Sequence, residues 1–272
     1  MASNLSTISV ARLLQQRELF YFTVRMLADL LNLDAARAYR LIRRLRAHGL
    51  VAEVENGKYL LLGFEPERVL ANPLFIASHL VTPGYISYWS ALHAYGFTEQ
   101  VPLMVYVATT KEKQPVEFEG QRYRFVRVQP RKFFGYRREL IGELPVLIAD
   151  EAKAIVDSLS EPRYAGGIAE VTKALGAALS TTDMATLVEY ANRMGDKTLG
   201  SRLGYLLGRF GISVEPKDSA ADARSDQGTL SLIRSASPVK LVPGSPSSGA
   251  YDRRWRVNVN LTEAELVAEG IG

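Results

Sequence analysis

Residues 34–62 read DAARAYRLIRRLRAHGLVAEVENGKYLLL, and two different periods succeed one another within them. Ala38, Leu41, Ile42 and Leu45 recur at i, i+3, i+4 and i+7, which makes one apolar stripe on a helix expected over 35–47. Arg37, Arg40 and Arg44 recur at i, i+3 and i+7 on another side, flanked by Tyr39, Arg43 and Arg46. A basic face opposed to an apolar one lets a helix lie in a major groove while it stays docked on its own domain. Asp34 is placed to accept hydrogen bonds from the free amides at the helix start, and Gly49 supplies the stop. Beyond it, residues 50–55 and 58–62 are short extended segments around Asn56-Gly57, the strongest two-residue hairpin signal.

Working outward, residues 9–19 place Val10, Leu13, Leu14 and Leu19 on a first amphipathic helix. Thr23 can cap a second helix over 24–31 that buries Leu27, Ala28 and Leu31, and Asn32-Leu33-Asp34 makes the turn into the third. Helix, helix, turn, helix and hairpin in this order predict a winged helix-turn-helix over residues 1–65. Its expected DNA contacts are Arg37, Tyr39, Arg40, Arg43, Arg44 and Arg46 from the third helix and Lys58 from the wing. Winged domains also bind protein, and the arginines are what favour nucleic acid here.

The 272 residues have room for one large domain or two to three small ones. Hydrophobic residues make up 47% and charged residues 23%, the balance of an ordinary globular chain, and no apolar run approaches a membrane span. The absence of cysteine excludes disulfides, thiolate metal sites and cysteine nucleophiles. The first residues, MASNLSTIS, do not read as a signal peptide, so a cytoplasmic location is expected. A net charge of +4 is modest, and its distribution says more. Residues 37–46 hold five arginines and no acid; residues 121–138 hold seven basic residues and no acid, namely Arg122, Arg124, Arg127, Arg131, Lys132, Arg137 and Arg138. This second run is a candidate basic surface for phosphates or for an acidic protein, with equal physical justification.

Gly63 to Pro73 breaks the pattern, so residues 66–80 are expected to connect the first domain to a second over 81–272. There, residues 82–95 read as a helix stopped by Gly96, residues 103–108 as a strand, residues 116–128 as a hairpin and residues 145–149 as a buried strand. Helices are expected after Asp150, after Gly167, after Asp183 and after Asp196, giving a helical bundle beside a small sheet. Residues 215–250 are rich in Ser, Pro, Gly and Asp, and much of the stretch is expected to be irregular, with 229–233 and 239–242 as candidate extended pieces that return to a sheet; 253–260 alternates Trp255, Val257 and Val259 against polar residues as a strand does. The fold class is therefore α+β.

Candidate chemistry is sparse. His48, His79 and His93 have no spacing for a shared metal, and Glu151, Asp157 and Glu161 show no regular metal-binding or acid/base spacing. Gly166-Gly167 lacks the pattern of a phosphate loop and reads as a tight turn or a close backbone approach. No enzyme, metal or cofactor is expected.

Five stretches carry a resemblance: FTVRMLADLLNLDAARAYRLIRRLRAHGLV (22–51), GYISYWSALHAYGFTEQVP (84–102), VLIADEAKAIVDSLSEPRYAGGIAEV (146–171), RLGYLLGRFG (202–211) and RWRVNVN (254–260). Together they resemble the AbiEi antitoxins of type IV toxin–antitoxin systems from abortive-infection loci. The resemblance implies an autorepressor that binds its operator and counters a nucleotidyltransferase-like toxin, without a stable complex between the two. It implies DNA contact by Arg37, Arg40, Arg43 and Arg44, and a structural or antitoxin role for Asp157, Tyr164, Gly166 and Gly167 in the second domain. The Ser/Pro-rich stretch near 215–250 departs from the family as an insertion. A single winged domain reads few base pairs, so two copies on a repeated operator, as a dimer on DNA, are expected. The alternative is a solitary winged-helix regulator whose second domain binds a ligand or a protein.

Overall fold

The computed structural model describes residues 6–219 and 229–262 of the chain. In the first sixty residues, α1 (Thr7–Gln16), β1 (Tyr21–Thr23), α2 (Val24–Leu31), α3 (Ala35–Ala47), β2 (Val51–Glu55) and β3 (Lys58–Leu61) follow one another. The local signals act as chemistry requires. Thr23 accepts from the Met26 amide and Asp34 from the Arg37 amide at 2.7 Å, Asn32 turns the chain in the left-handed region, and Gly49 adopts φ +68° after α3. The short strand β1 falls where the spacing predicts only a break between helices; it pairs antiparallel with β3, so the sheet order is β1-β3-β2.

β3 is two-faced. Tyr59 and Leu61 are buried among Phe22, Leu27, Leu41, Ile42 and Leu45, while Leu60 and Leu62 are buried in a second, larger core that reaches to Val259. Ala52 and Val54 of β2 pack toward that larger core too. The small sheet is thus covered by its own helices on one side and by the rest of the chain on the other. The unbroken apolar run of 59–62 is the pattern of a strand buried on both faces.

The larger core begins with α4 (Pro66–Leu70) and α5 (Pro73–His79), in the segment expected to be a connection. Phe75, Ile76 and Ala77 of α5 are fully buried there. The chain then lays down β4 (Gly84–Ile86), α6 (Tyr88–Ala94), β5 (Met104–Thr109), β6 (Val116–Phe118), β7 (Gln121–Arg127), β8 (Tyr136–Ile141) and β9 (Leu144–Ala149). These strands form one mixed sheet of six in the order β6-β7-β5-β4-β9-β8, larger than the small sheet expected. The helix expected from residue 82 starts only at Tyr88, because Gly84–Ile86 is a central strand with every residue buried. A Cβ at Gly84 would stand 2.8 Å from the Val81 side chain, so glycine lets the chain enter the sheet there.

Helix α7 (Glu151–Ser160) packs on this sheet at β9, and α8 (Ile168–Ala178), α9 (Met184–Arg193) and α10 (Lys197–Arg209) pack against α7; Asp150 and Asp183 cap α7 and α9 as expected, and Asp196 caps α10. Within 215–250, strands form inside both extended pieces expected at 229–233 and 239–242, and two further short strands lie at the ends of the stretch. β10 (Glu215–Lys217) pairs parallel with β11 (Ser231–Ile233), and β12 (Val239–Lys240) with β14 (Val257–Val259), which also pairs with β13 (Ala250–Asp252). The strand expected over 253–260 is shorter: residues 253–256 form a turn with Arg256 in the left-handed region, and only Val257–Val259 is extended, although Trp255, Val257 and Val259 are all buried. Among the described residues, no helix is long and apolar enough to cross a membrane.

The late strands lie directly on α10 because that helix has small residues where they cross. A Cβ at Gly204 would run into the Trp255 ring, whereas one at the exposed Gly208 would meet nothing within 4 Å. Both positions favour alanine by helix propensity, by up to about 1 kcal/mol. Gly204→Ala should nevertheless destabilise the chain by about 1–3 kcal/mol through overpacking, and Gly208→Ala should stabilise it. Urea unfolding of the two variants checks the opposite signs.

Candidate nucleic-acid interface

α3 is held by its apolar stripe: Ala38, Leu41, Ile42 and Leu45 are at most 2% exposed. Its outer face carries Arg37, Tyr39, Arg40, Arg43, Arg44 and Arg46, all exposed, with Tyr39 at 52%. These cations divide by what they touch. Arg46 Nη1 lies 2.7 Å from Glu53 Oε2 on β2, and Glu53 also accepts from the Gly57 amide at the hairpin turn. Arg46 therefore ties α3 to the hairpin. Arg37 lies 3.3 Å from Asp34, its own capping residue, in an exposed pair that contributes little. Lys58 Nζ donates to Glu55 across the turn at 3.0 Å. Arg40, Arg43 and Arg44 make no ion pair among the described residues. Of the seven residues expected to meet DNA, these three cations and Tyr39 are the ones that stand free and close together.

The second basic run does not form one surface. Arg122, Arg124 and Arg127 are exposed on β7, next to one edge of the six-stranded sheet, and Arg137 and Arg138 are on β8 at the opposite edge. Four interstrand steps separate the two strands, about 19 Å at roughly 4.8 Å per step. Most of the run is also engaged within the chain. Arg124 lies 5.2 Å from the centre of the Tyr164 ring, Arg131 donates to the Met194 carbonyl at 3.0 Å, and Lys132 is 3.8 Å from Asp196. Arg137 pairs with Glu151 and Glu139 at 2.8 and 2.6 Å, and these partners hold its pKa above the usual arginine value. Arg138 reaches Glu18 at 2.8 Å, a bridge between the two cores; that hydrogen bond lowers the Glu18 carboxyl. Seven cations adjacent in sequence are thus separated because β8 is threaded on the far side of β4 and β9.

The second-domain candidates are structural in their contacts. Asp157 on α7 is 1% exposed and accepts from Lys153 Nζ at 2.5 Å, Ser87 Oγ at 2.8 Å and Tyr85 Oη at 3.0 Å. Lys153, itself fully buried, lies over the Phe134 ring at 4.5 Å. Burial, followed by the charge of Asp157, pushes the Tyr85 phenol well above its usual range, so it stays a donor. Lys153, Tyr85 and Ser87 are not among the residues that the sequence singles out, although the i, i+4 spacing of Lys153 and Asp157 carries the signal. Tyr164 packs against Tyr88 and Tyr106, with Arg163 4.7 Å from its ring. Gly166 has φ +78°, and a Cβ there would stand 2.9 Å from the Glu170 side chain and 3.0 Å from Trp89. Gly167, at φ +93°, opens α8 and has free space around it. Both glycines meet the conformational need expected of them, and Gly166 meets the close approach as well.

The histidines are apart in character: His79 packs beside the Phe20 and Phe75 rings, which also meet one another, and burial lowers its pKa, while His48 and His93 are exposed. Among the described residues, no group of three His, Asp or Glu side chains is gathered as metal ligands would be.

No protein-family model matches the chain, and no curated protein matches it. Its fold is similar to the crystal structure of the RV2827C protein from Mycobacterium tuberculosis, with a TM-score of 0.55 and 14% identity over 97% of this chain and 95% of that one. At that identity the likeness concerns the fold alone, and it runs through both cores.

The buried Lys153–Asp157 pair makes a direct test of the second core. Asp157→Ala leaves an uncompensated ammonium and should cost about 3–5 kcal/mol in urea unfolding. Lys153→Met with Asp157→Asn removes both charges while keeping an acceptor for Tyr85 and Ser87, and should recover most of that stability. A single Asp157→Ala variant within about 1 kcal/mol of the parent would show that the pair contributes little.

Proposed function

We propose that α1, α2, α3 and the β2–β3 hairpin act as a winged helix-turn-helix, and that the chain binds double-stranded DNA with α3 in the major groove. The observation that carries this reading is the free cluster of Arg40, Arg43 and Arg44 beside Tyr39, on a helix whose opposite face is fully buried. Guanidinium groups match the acceptors of guanine in the major groove and those of phosphates, and these three are not engaged by carboxylates among the described residues. Arg46 and Lys58 enter the reading as groups that shape the hairpin, since each is paired within the unit.

On the resemblance in residues 22–51, 84–102 and 146–171, the chain is an antitoxin that represses its own operon and counters a nucleotidyltransferase-like toxin. The toxin is a functional partner, with no stable complex required. Two copies on a repeated operator supply the base pairs that one winged unit cannot read alone. A second reading, a solitary regulator that senses a small ligand, is favoured by a cavity of about 340 Å³ where the two cores meet, lined by Phe20, Leu61, Phe64, Arg68, Glu143 and Leu144 among others. A nucleotidyltransferase gene beside this one supports the first reading, and an isolated gene the second.

Arg40→Ala with Arg44→Ala should weaken binding to the promoter by about 1–3 kcal/mol for each base-edge hydrogen-bonded pair removed. For each phosphate released from a guanidinium, the slope of log affinity against log salt should fall by about 0.9. Both side chains are exposed, so thermal melting should not move. Titration of promoter and scrambled duplexes at several salt concentrations reads both effects; unchanged affinity in the folded double variant overturns the assignment.

A further inference from the structure

The hairpin proposed as the wing is held from outside its own unit. Glu55, the last residue of β2 before the Asn56-Gly57 turn, accepts from Lys58 at 3.0 Å, from the Tyr21 hydroxyl, and from Lys113 Nζ at 2.5 Å. Lys113 belongs to the loop between β5 and β6 of the large sheet, 58 residues away in sequence. Its side chain is 12% exposed, and its ammonium lies 5.6 Å from the Tyr21 ring and 5.1 Å from the Phe125 ring. An ammonium enclosed by two aromatic rings and a carboxylate is fixed in position. Burial works against the Glu55 carboxylate, yet the hydrogen bonds from Lys113, Tyr21 and Lys58 outweigh it and keep the group ionised below the usual carboxylate range.

The contacts continue inward. Glu53, two residues before Glu55, takes Arg46 of α3 and the Gly57 amide. The order of contact is therefore α3, Arg46, Glu53, the turn, Lys58, Glu55 and Lys113, and it ends in the second unit. We propose that Lys113 is a positioning residue for DNA recognition, fixing the β2–β3 hairpin relative to α3 so that operator affinity depends on the second unit. This rests on the DNA-binding reading above. It makes the two units unequal partners in binding: α3 supplies the contacts, and the large sheet sets where the hairpin stands.

The test uses the full chain, with Lys113→Met, which keeps the stem between the rings and removes the charge, and Lys113→Arg, which keeps the charge. Amide exchange at Gly57 and Lys58 should quicken severalfold in Lys113→Met, and affinity for promoter duplex should weaken by about tenfold, the scale of one charge-assisted hydrogen bond. The salt slope should stay unchanged, because every phosphate keeps its partner, and Lys113→Arg should restore both readouts. A slope lower by about 0.9 would instead make Lys113 a direct phosphate ligand and overturn the positioning role. Unchanged exchange and affinity in Lys113→Met overturn it as well. If Lys113→Met lowers the melting temperature, Lys113→Gln, which keeps a donor, carries the same comparison. A parent chain that binds no duplex DNA, promoter included, defeats the DNA-binding reading and the positioning role together; a parent that binds while Lys113→Met matches it defeats only the latter.

Discussion

One strand with two buried faces governs how the chain is put together. β3 turns Tyr59 and Leu61 toward the helices of the first unit and Leu60 toward the large core, where Leu62 just beyond the strand joins it, so both cores share this strand. Burying a leucine side chain contributes roughly 1.5–3 kcal/mol, and here such residues on one short strand serve two cores at once. The neighbouring strand follows the same division: Phe22 of β1 is in the smaller core and Tyr21 packs toward the larger, while Phe20 just before the strand touches both. Phe20 then meets Phe75 edge to face at 5.0 Å, with His79 beside both rings. A hairpin free on its outer side can swing about its base, whereas this one is packed through that side.

The large unit has its own fixed point at α7, which is buried along nearly its whole length. A helix with no solvent face has nowhere to put a charge except inside, and Lys153 and Asp157 neutralise one another there. The Asp157 carboxylate also takes the hydroxyls of Tyr85, in the middle of β4, and of Ser87, the residue between β4 and α6. The pair thereby selects one placement of α7 against the central strand, a specificity that apolar contacts alone do not supply.

How far the sequence could be read depends on the range of the interactions. α3, its caps and the Asn56-Gly57 hairpin were legible because their determinants lie within a few residues of one another. β4 was not: three residues, Gly84–Ile86, are too few to show a period, and the helix pattern beginning at Tyr88 extends visually over them. β1 was missed for the same reason of length. The free cations of α3 were legible as a group, but the pairing of Arg46 with Glu53, Arg138 with Glu18 and Lys113 with Glu55 was not, because partners 7, 120 and 58 residues apart are brought together by strand order. The mixed sheet places β8 beyond β4 and β9, and no local pattern encodes that crossing.

This explains why the two basic runs, alike in composition, differ in what they can do. A run on one helix keeps its charges within two or three turns, so Arg40, Arg43 and Arg44 lie inside a distance comparable to the screening length of about 8 Å at physiological salt and present one combined field. A run that crosses a sheet is divided among strands, and its members meet whichever acids the neighbouring strands and helices present, as Arg137 meets Glu139 and Glu151. Carboxylates are present on the first unit too, but Asp34 is paired with Arg37, and Glu53 and Glu55 are directed at Arg46, Lys58 and Lys113, which leaves Arg40, Arg43 and Arg44 unneutralised among the described residues. The charge available to a polyanion is therefore set by where the acids are placed, and in this chain they are placed to hold the hairpin.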